Sequence, residues 1–231
     1  MMEVLASLAI TVALAPLARL GLRVSSEGES DIALAELILA GLIGALPAAF
    51  LSPFGIGSPG FLALVTLGAL LPMAGWIDRK SGWAPDFVML PIVVSGLVLG
   101  SSLGSWSAGP LAMLVWGAAG YAALQVSWIL AAMKNPELML PPPADLIALA
   151  LPFLIFGTHP ASVATSFAIS VLLLLCKAFP AVNSLFSRKE VVEGVLKEVA
   201  KSDTVEASAI TFLALAFPVT LIVLLLAIFL K

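Results

Sequence analysis

The stretch FLALVTLGALLPMAGWIDRKSG, residues 61–82, decides the fold class. From Phe61 to Ile77 it carries no charge, and then Asp78, Arg79 and Lys80 follow in succession. A bilayer core takes roughly 20 predominantly apolar residues per spanning helix. The stretch therefore reads as a membrane-crossing helix that stops at a water interface.

Runs of the same kind lie on both sides of it. Upstream are a first helix over about Met2 to Leu22 and a second over about Ile32 to Leu51. The polar link Ser25 to Asp31 joins them, with Ser30 or Asp31 placed to cap the second helix. The loop Ser52 to Gly60 is uncharged and made of turn residues. Downstream, a fourth helix starts near Pro85-Asp86 and ends near Leu103, and a fifth covers about Pro110 to Met133. A shorter sixth covers Ala144 to Phe156, after Pro141-Pro142-Pro143. A seventh covers about Ala161 to Phe179, and an eighth about Ala207 to Leu230. The expected fold is all-α: one integral-membrane domain over residues 1–231, a polytopic bundle of about eight transmembrane helices.

Composition agrees. Of 231 residues, 61% are hydrophobic and 11% charged, against about 25% charged in an ordinary soluble domain. Too few polar groups are present to cover a water-soluble surface. The net charge of -3 argues against a nucleic-acid partner. One cysteine, Cys176, excludes a disulfide framework and a Cys₄ zinc site, and one histidine, His159, excludes a two-histidine metal site.

Charge placement sets the orientation. If the Ser25–Asp31 link faces the cytoplasm, that side receives Arg19, Arg23, Arg79, Lys80, Lys134, Lys177, Arg188, Lys189, Lys197 and Lys201. The other side receives Lys231 alone. This strong positive-inside pattern fits eight crossings in a cytoplasmic membrane with both termini outside. Residues 183–206 form a cytoplasmic segment within the domain and hold nine charged residues. Inside it, Val191, Val192, Val195, Leu196 and Val199 recur at helical spacing. That pattern fits an amphipathic helix lying on the lipid surface, with a docking arm for a partner as the alternative.

With histidine, thiol and metal chemistry set aside, carboxylates remain. Asp78 ends the third helix and Asp145 opens the sixth, so the topology puts both at the cytoplasmic face. Two adjacent carboxylates can share a proton. The ionised one then draws a proton from water while the protonated one polarises a carbonyl. Each aspartate also has a plainer reading: Asp78 as a solvated helix-end charge, and Asp145 as a cap or first-turn residue after prolines. Asp86 and Glu36 read as first-turn charges.

The segment Gly75-Trp76-Ile77-Asp78-Arg79-Lys80-Ser81-Gly82-Trp83-Ala84-Pro85-Asp86, continuing to Leu90-Pro91, resembles the first aspartate motif of type IV prepilin peptidases. These are membrane-embedded aspartic peptidases. In them an apolar helix ends in a catalytic aspartate, basic residues and a Pro-Asp or Pro-Asn step follow, and a Leu-Pro step comes later. Pro142-Pro143-Ala144-Asp145 resembles the family's second motif, GxGD, and Ala209 to Phe217 is similar to its apolar final helix. The resemblance implies catalytic Asp78 and Asp145, no cofactor, and cleavage of the cytoplasmic leader from a prepilin or pseudopilin whose hydrophobic helix sits in the bilayer. It also implies a peptidase-only form, because no cysteine-rich methyltransferase region separates the first two helices. Three positions depart from the pattern: Pro142 and Ala144 replace the glycines, and Ile147 stands where a lysine is usual. A catalytically silent relative serving as an assembly scaffold, and a small transporter, are the alternative expectations.

Overall fold

A computed structural model describes residues 2–25, 32–81, 84–103 and 143–156, together with helical positions 115, 118, 119, 122, 126, 129 and 133. Among them there is no strand; the architecture is all-helical. The continuous helices are α1 (Met2–Ser25), α2 (Leu34–Phe50), α3 (Pro59–Ser81), α4 (Asp86–Ser102) and α5 (Pro143–Phe156). The seventh and eighth expected helices, the amphipathic 183–206 segment, His159 and Cys176 lie outside the described residues, as does most of the fifth helix.

Among the described residues, two helices are long and apolar enough to cross a membrane, Met2–Val24 and Pro59–Asp78. Helices α2 and α4 are equally apolar but shorter, at 17 residues each. Along the middle of α1, α2 and α4 the outward side chains are apolar. Leu5, Val12, Leu39, Ile43, Leu90 and Val94 are all exposed, as suits helices whose outer solvent is hydrocarbon. Hydroxyls return to their own backbone, the arrangement that satisfies them without water. Ser7 Oγ donates to the Val4 carbonyl at 2.9 Å, and the buried Thr11 Oγ1 donates to the Ser7 carbonyl at 2.8 Å.

The centre of the bundle is α3, which packs against α1, α2 and α4. Phe61, Leu64, Leu67, Leu71, Met73 and Ile77 are fully buried along its length. Its N-terminus is capped by Ser58, whose Oγ accepts the Phe61 N–H at 3.2 Å. Removing that acceptor with Ser58→Ala is expected to cost about 1 kcal/mol of stability, read from the unfolding midpoint in detergent. Before it, Gly57 takes a positive φ of 83°, a conformation glycine adopts without steric cost.

The seam between α2 and α3 is built from small residues. A Cβ on Gly44 would collide with the Gly68 carbonyl, and a Cβ on Gly68 would lie 2.9 Å from the Ala48 methyl. One turn along, a Cβ on Gly41 would strike the Met73 methyl and approach Thr11 Cγ2 of α1 to 2.8 Å. The two backbones therefore touch directly, the close approach that small residues permit between membrane helices. Contacts advance in opposite senses along the two helices, Ala48 with Gly68, Gly44 with Pro72 and Gly41 with Met73. The pair is an antiparallel hairpin closed by the loop at 51–58.

Two boundaries differ from the sequence reading. The N-cap of α2 is Ala33, with no side-chain cap hydrogen bond, instead of Ser30 or Asp31. Ala33 is itself extended (ψ 135°) and α2 begins at Leu34, so the cap position falls two residues beyond Asp31 in the sequence. Helix α3 continues through the charges to Ser81, one turn beyond the expected stop at Ile77. Asp, Arg, Lys and Ser are compatible with helix, and Ser81 Oγ donates back to the Ile77 carbonyl at 2.8 Å. Asp78 accordingly stands on a helix and not beyond one.

Candidate functional site: the charged end of the bundle

The antiparallel packing gathers charge at one end. Helix α2 begins where α3 finishes, which brings Glu36 beside Trp76 and Lys80. Helix α1 brings its C-terminal arginines to the same end. A Cβ on Gly21, between Arg19 and Arg23, would lie 3.0 Å from Phe87 Cδ1 in the first turn of α4. Asp86, exposed, is the first residue of α4. Among the described residues of α1 to α4, the opposite end carries only Glu3.

Asp78 is partly buried, in the last turn of α3. Residues three, four and seven back along a helix share its face, and here these are Gly75, Ala74 and Leu71, all buried. The carboxylate thus stands at the rim of the apolar core. A helix face away, Trp76 and Lys80 turn toward α2. Trp76 Nε1 donates to Glu36 Oε2 at 2.9 Å, and Lys80 Nζ lies 3.5 Å from the same oxygen. The ammonium also sits 5.3 Å from the centroid of the Trp76 ring, within cation–π range. Lys80 and Glu36 are 50% and 39% exposed, so their ion pair belongs to the surface class worth little by itself. The indole hydrogen bond is the firmer contact.

Asp145 is the third residue of α5, in the first turn where a negative charge complements the helix dipole. Helix α5 packs against α4. The register of that contact is set at Gly96, where a Cβ would approach Leu151 Cδ1 to 2.8 Å and Leu154 Cδ2 to 3.3 Å.

Sequence reasoning missed the bond between Glu36 and Trp76. Glu36 does occupy the first turn of α2, as expected of a first-turn charge, but it also receives a donor from forty positions away. The only available signal was the hairpin itself. Once α2 and α3 are antiparallel, position 36 must meet the region of 76 to 80.

Compared with family models, with curated proteins and with solved structures, the chain matches none.

Proposed function

We propose that this chain is a multi-pass aspartic endopeptidase of the cytoplasmic membrane, which removes the leader from prepilin-like or pseudopilin substrates. Its full complement is about eight crossings, with the charged end facing the cytoplasm and both termini outside. The observation that carries this reading is the position of Asp78, on the last turn of the central helix, at the charged end and above a buried face. A carboxylate so placed can meet a peptide bond where a substrate's hydrophobic helix leaves the bilayer.

The register of α5 supports Asp145 as its partner. In a bundle of alternating crossings the fourth and sixth helices run in the same direction. At 1.5 Å per residue, Asp86 then lies about 15 Å below Gly96, and Asp145 about 9 to 14 Å below Leu151 and Leu154. Both then fall in the end layer that holds Asp78. In the reaction, the ionised aspartate takes a proton from water as the water oxygen bonds to the scissile carbonyl carbon. The protonated aspartate hydrogen-bonds the carbonyl oxygen, and the leaving amine is protonated as the C–N bond breaks.

The test is reconstitution with a leader-bearing prepilin, mass spectrometry of the released N-terminus, and labelling of cysteines placed at 78 and 145. Cleavage at the leader–helix boundary, with both positions reached from the cytoplasmic side, is the expected result. Labels from opposite sides of the bilayer would end the proposal. Stable binding of the substrate without cleavage would instead favour a scaffold, in keeping with the altered residues Pro142 and Ala144.

A further inference from the structure

We infer that Glu36 is a positioning residue for Asp78, holding the last turn of α3 from the neighbouring helix. Its effect on hydrolysis rests on the reading of Asp78 as a catalytic carboxylate; its hold on the turn does not. Helix ends are intrinsically loose, because their last carbonyls lack intrahelical partners and terminal turns open first. Asp78 stands three positions from the end of α3. Trp76 and Lys80 flank it in sequence and turn to the other side of the helix, where both meet Glu36.

A single carboxylate oxygen thus ties two successive turns of α3 to α2, through a 2.9 Å indole hydrogen bond and an ammonium at 3.5 Å. The anchor is itself firm. Eight residues along α2, Gly44 rests on the backbone of Gly68, so α2 has little freedom to follow a fraying α3. Unwinding or rotation of the turn would swing Asp78 off the core rim, and tying the opposite face opposes both motions. The indole bond is the larger of the two ties, since the half-exposed ammonium is screened by water. Glu36→Gln retains an acceptor oxygen for Trp76, whereas Glu36→Ala retains none.

The test uses the full chain in lipid nanodiscs. In Glu36→Ala, hydrogen exchange at the amides of residues 76–81 is expected to quicken about tenfold, the scale of one lost hydrogen bond to a charged acceptor. Exchange over residues 64–72 should stay at the parental rate. Glu36→Gln should restore most of the protection. Trp76→Phe should match Glu36→Ala, and the double variant should be no worse than either single one. In the cleavage assay, Glu36→Ala should lower kcat about tenfold by misplacing the carboxylate, with KM unchanged and Glu36→Gln close to parental.

Parental exchange at 76–81 in Glu36→Ala would overturn the inference, and so would equal losses in Glu36→Ala and Glu36→Gln. Loosened exchange with undiminished kcat would also overturn it, because the turn would then be held to no catalytic purpose. A parental protein that cleaves no leader would defeat the peptidase reading separately, and exchange would still decide whether Glu36 holds the turn.

Discussion

Asp78→Asn and Asp145→Asn are each expected to lower leader cleavage about a hundred- to ten-thousandfold, the range lost with a general acid or base, while the protein still inserts and folds. Asparagine has nearly the shape of aspartate but can neither accept a proton from water nor carry one to a carbonyl. The substitution therefore removes the chemistry and spares the packing. At position 78 it should also be tolerated structurally, because the side chain is only partly buried at a helix end. Asp86→Asn is the matched control. That carboxylate is exposed at the start of α4 and should change cleavage little. If either the 78 or the 145 variant processes substrate at the parental rate, that aspartate is no catalyst and the scaffold reading gains.

The second large effect falls on stability. Gly44→Leu or Gly68→Val should destabilise the fold by about 3 kcal/mol or more, at or beyond the upper end of ordinary overpacking. The obstruction at Gly44 is the backbone carbonyl of Gly68, not the tip of a flexible side chain. No rotamer change relieves it, and the helices must separate. Gly55→Ala supplies the comparison, since nothing lies within 4 Å of a Cβ built there. Thermal unfolding in detergent should show a large loss for the seam variants and none for Gly55→Ala. The seam variants should also break the Trp76 to Glu36 bond, because separation of α2 from α3 opens the same hairpin twelve or so ångströms away.

Apolar length is a strong signal and made the described helices legible, while charges beside long apolar runs are conspicuous and singled out Asp78 and Asp145 as candidates. Other features were hidden for identifiable reasons. Whether Asp78-Arg79-Lys80 ends a helix or prolongs it depends on local bonding, such as that of Ser81 to Ile77, and charge alone points to the interface and not to the last helical residue. The start of α2 was misjudged because two good capping residues, Ser30 and Asp31, stand just upstream in the sequence, yet the N-cap is Ala33, extended and without a side-chain cap. Glu36 was legible as a first-turn acid but not as the acceptor of Trp76, a relation that exists only after two helices pack. Gly44 and Gly68 look like ordinary small residues until their backbones are seen in contact.

The charge-free loop at 51–58 between α2 and α3 has a bearing on how the protein is made. A charged side chain carried to the middle of a lipid bilayer costs about 2.5 to 3.5 kcal/mol even on insertion scales. The tip of this hairpin has none, so on entry into a bilayer it would pass as a unit while Glu36, Asp78, Arg79 and Lys80 at its open end stay behind. The polarity that gathers the charges at one end would make entry of this hairpin into a bilayer directional: tip first, with reversal opposed by every ion at its base.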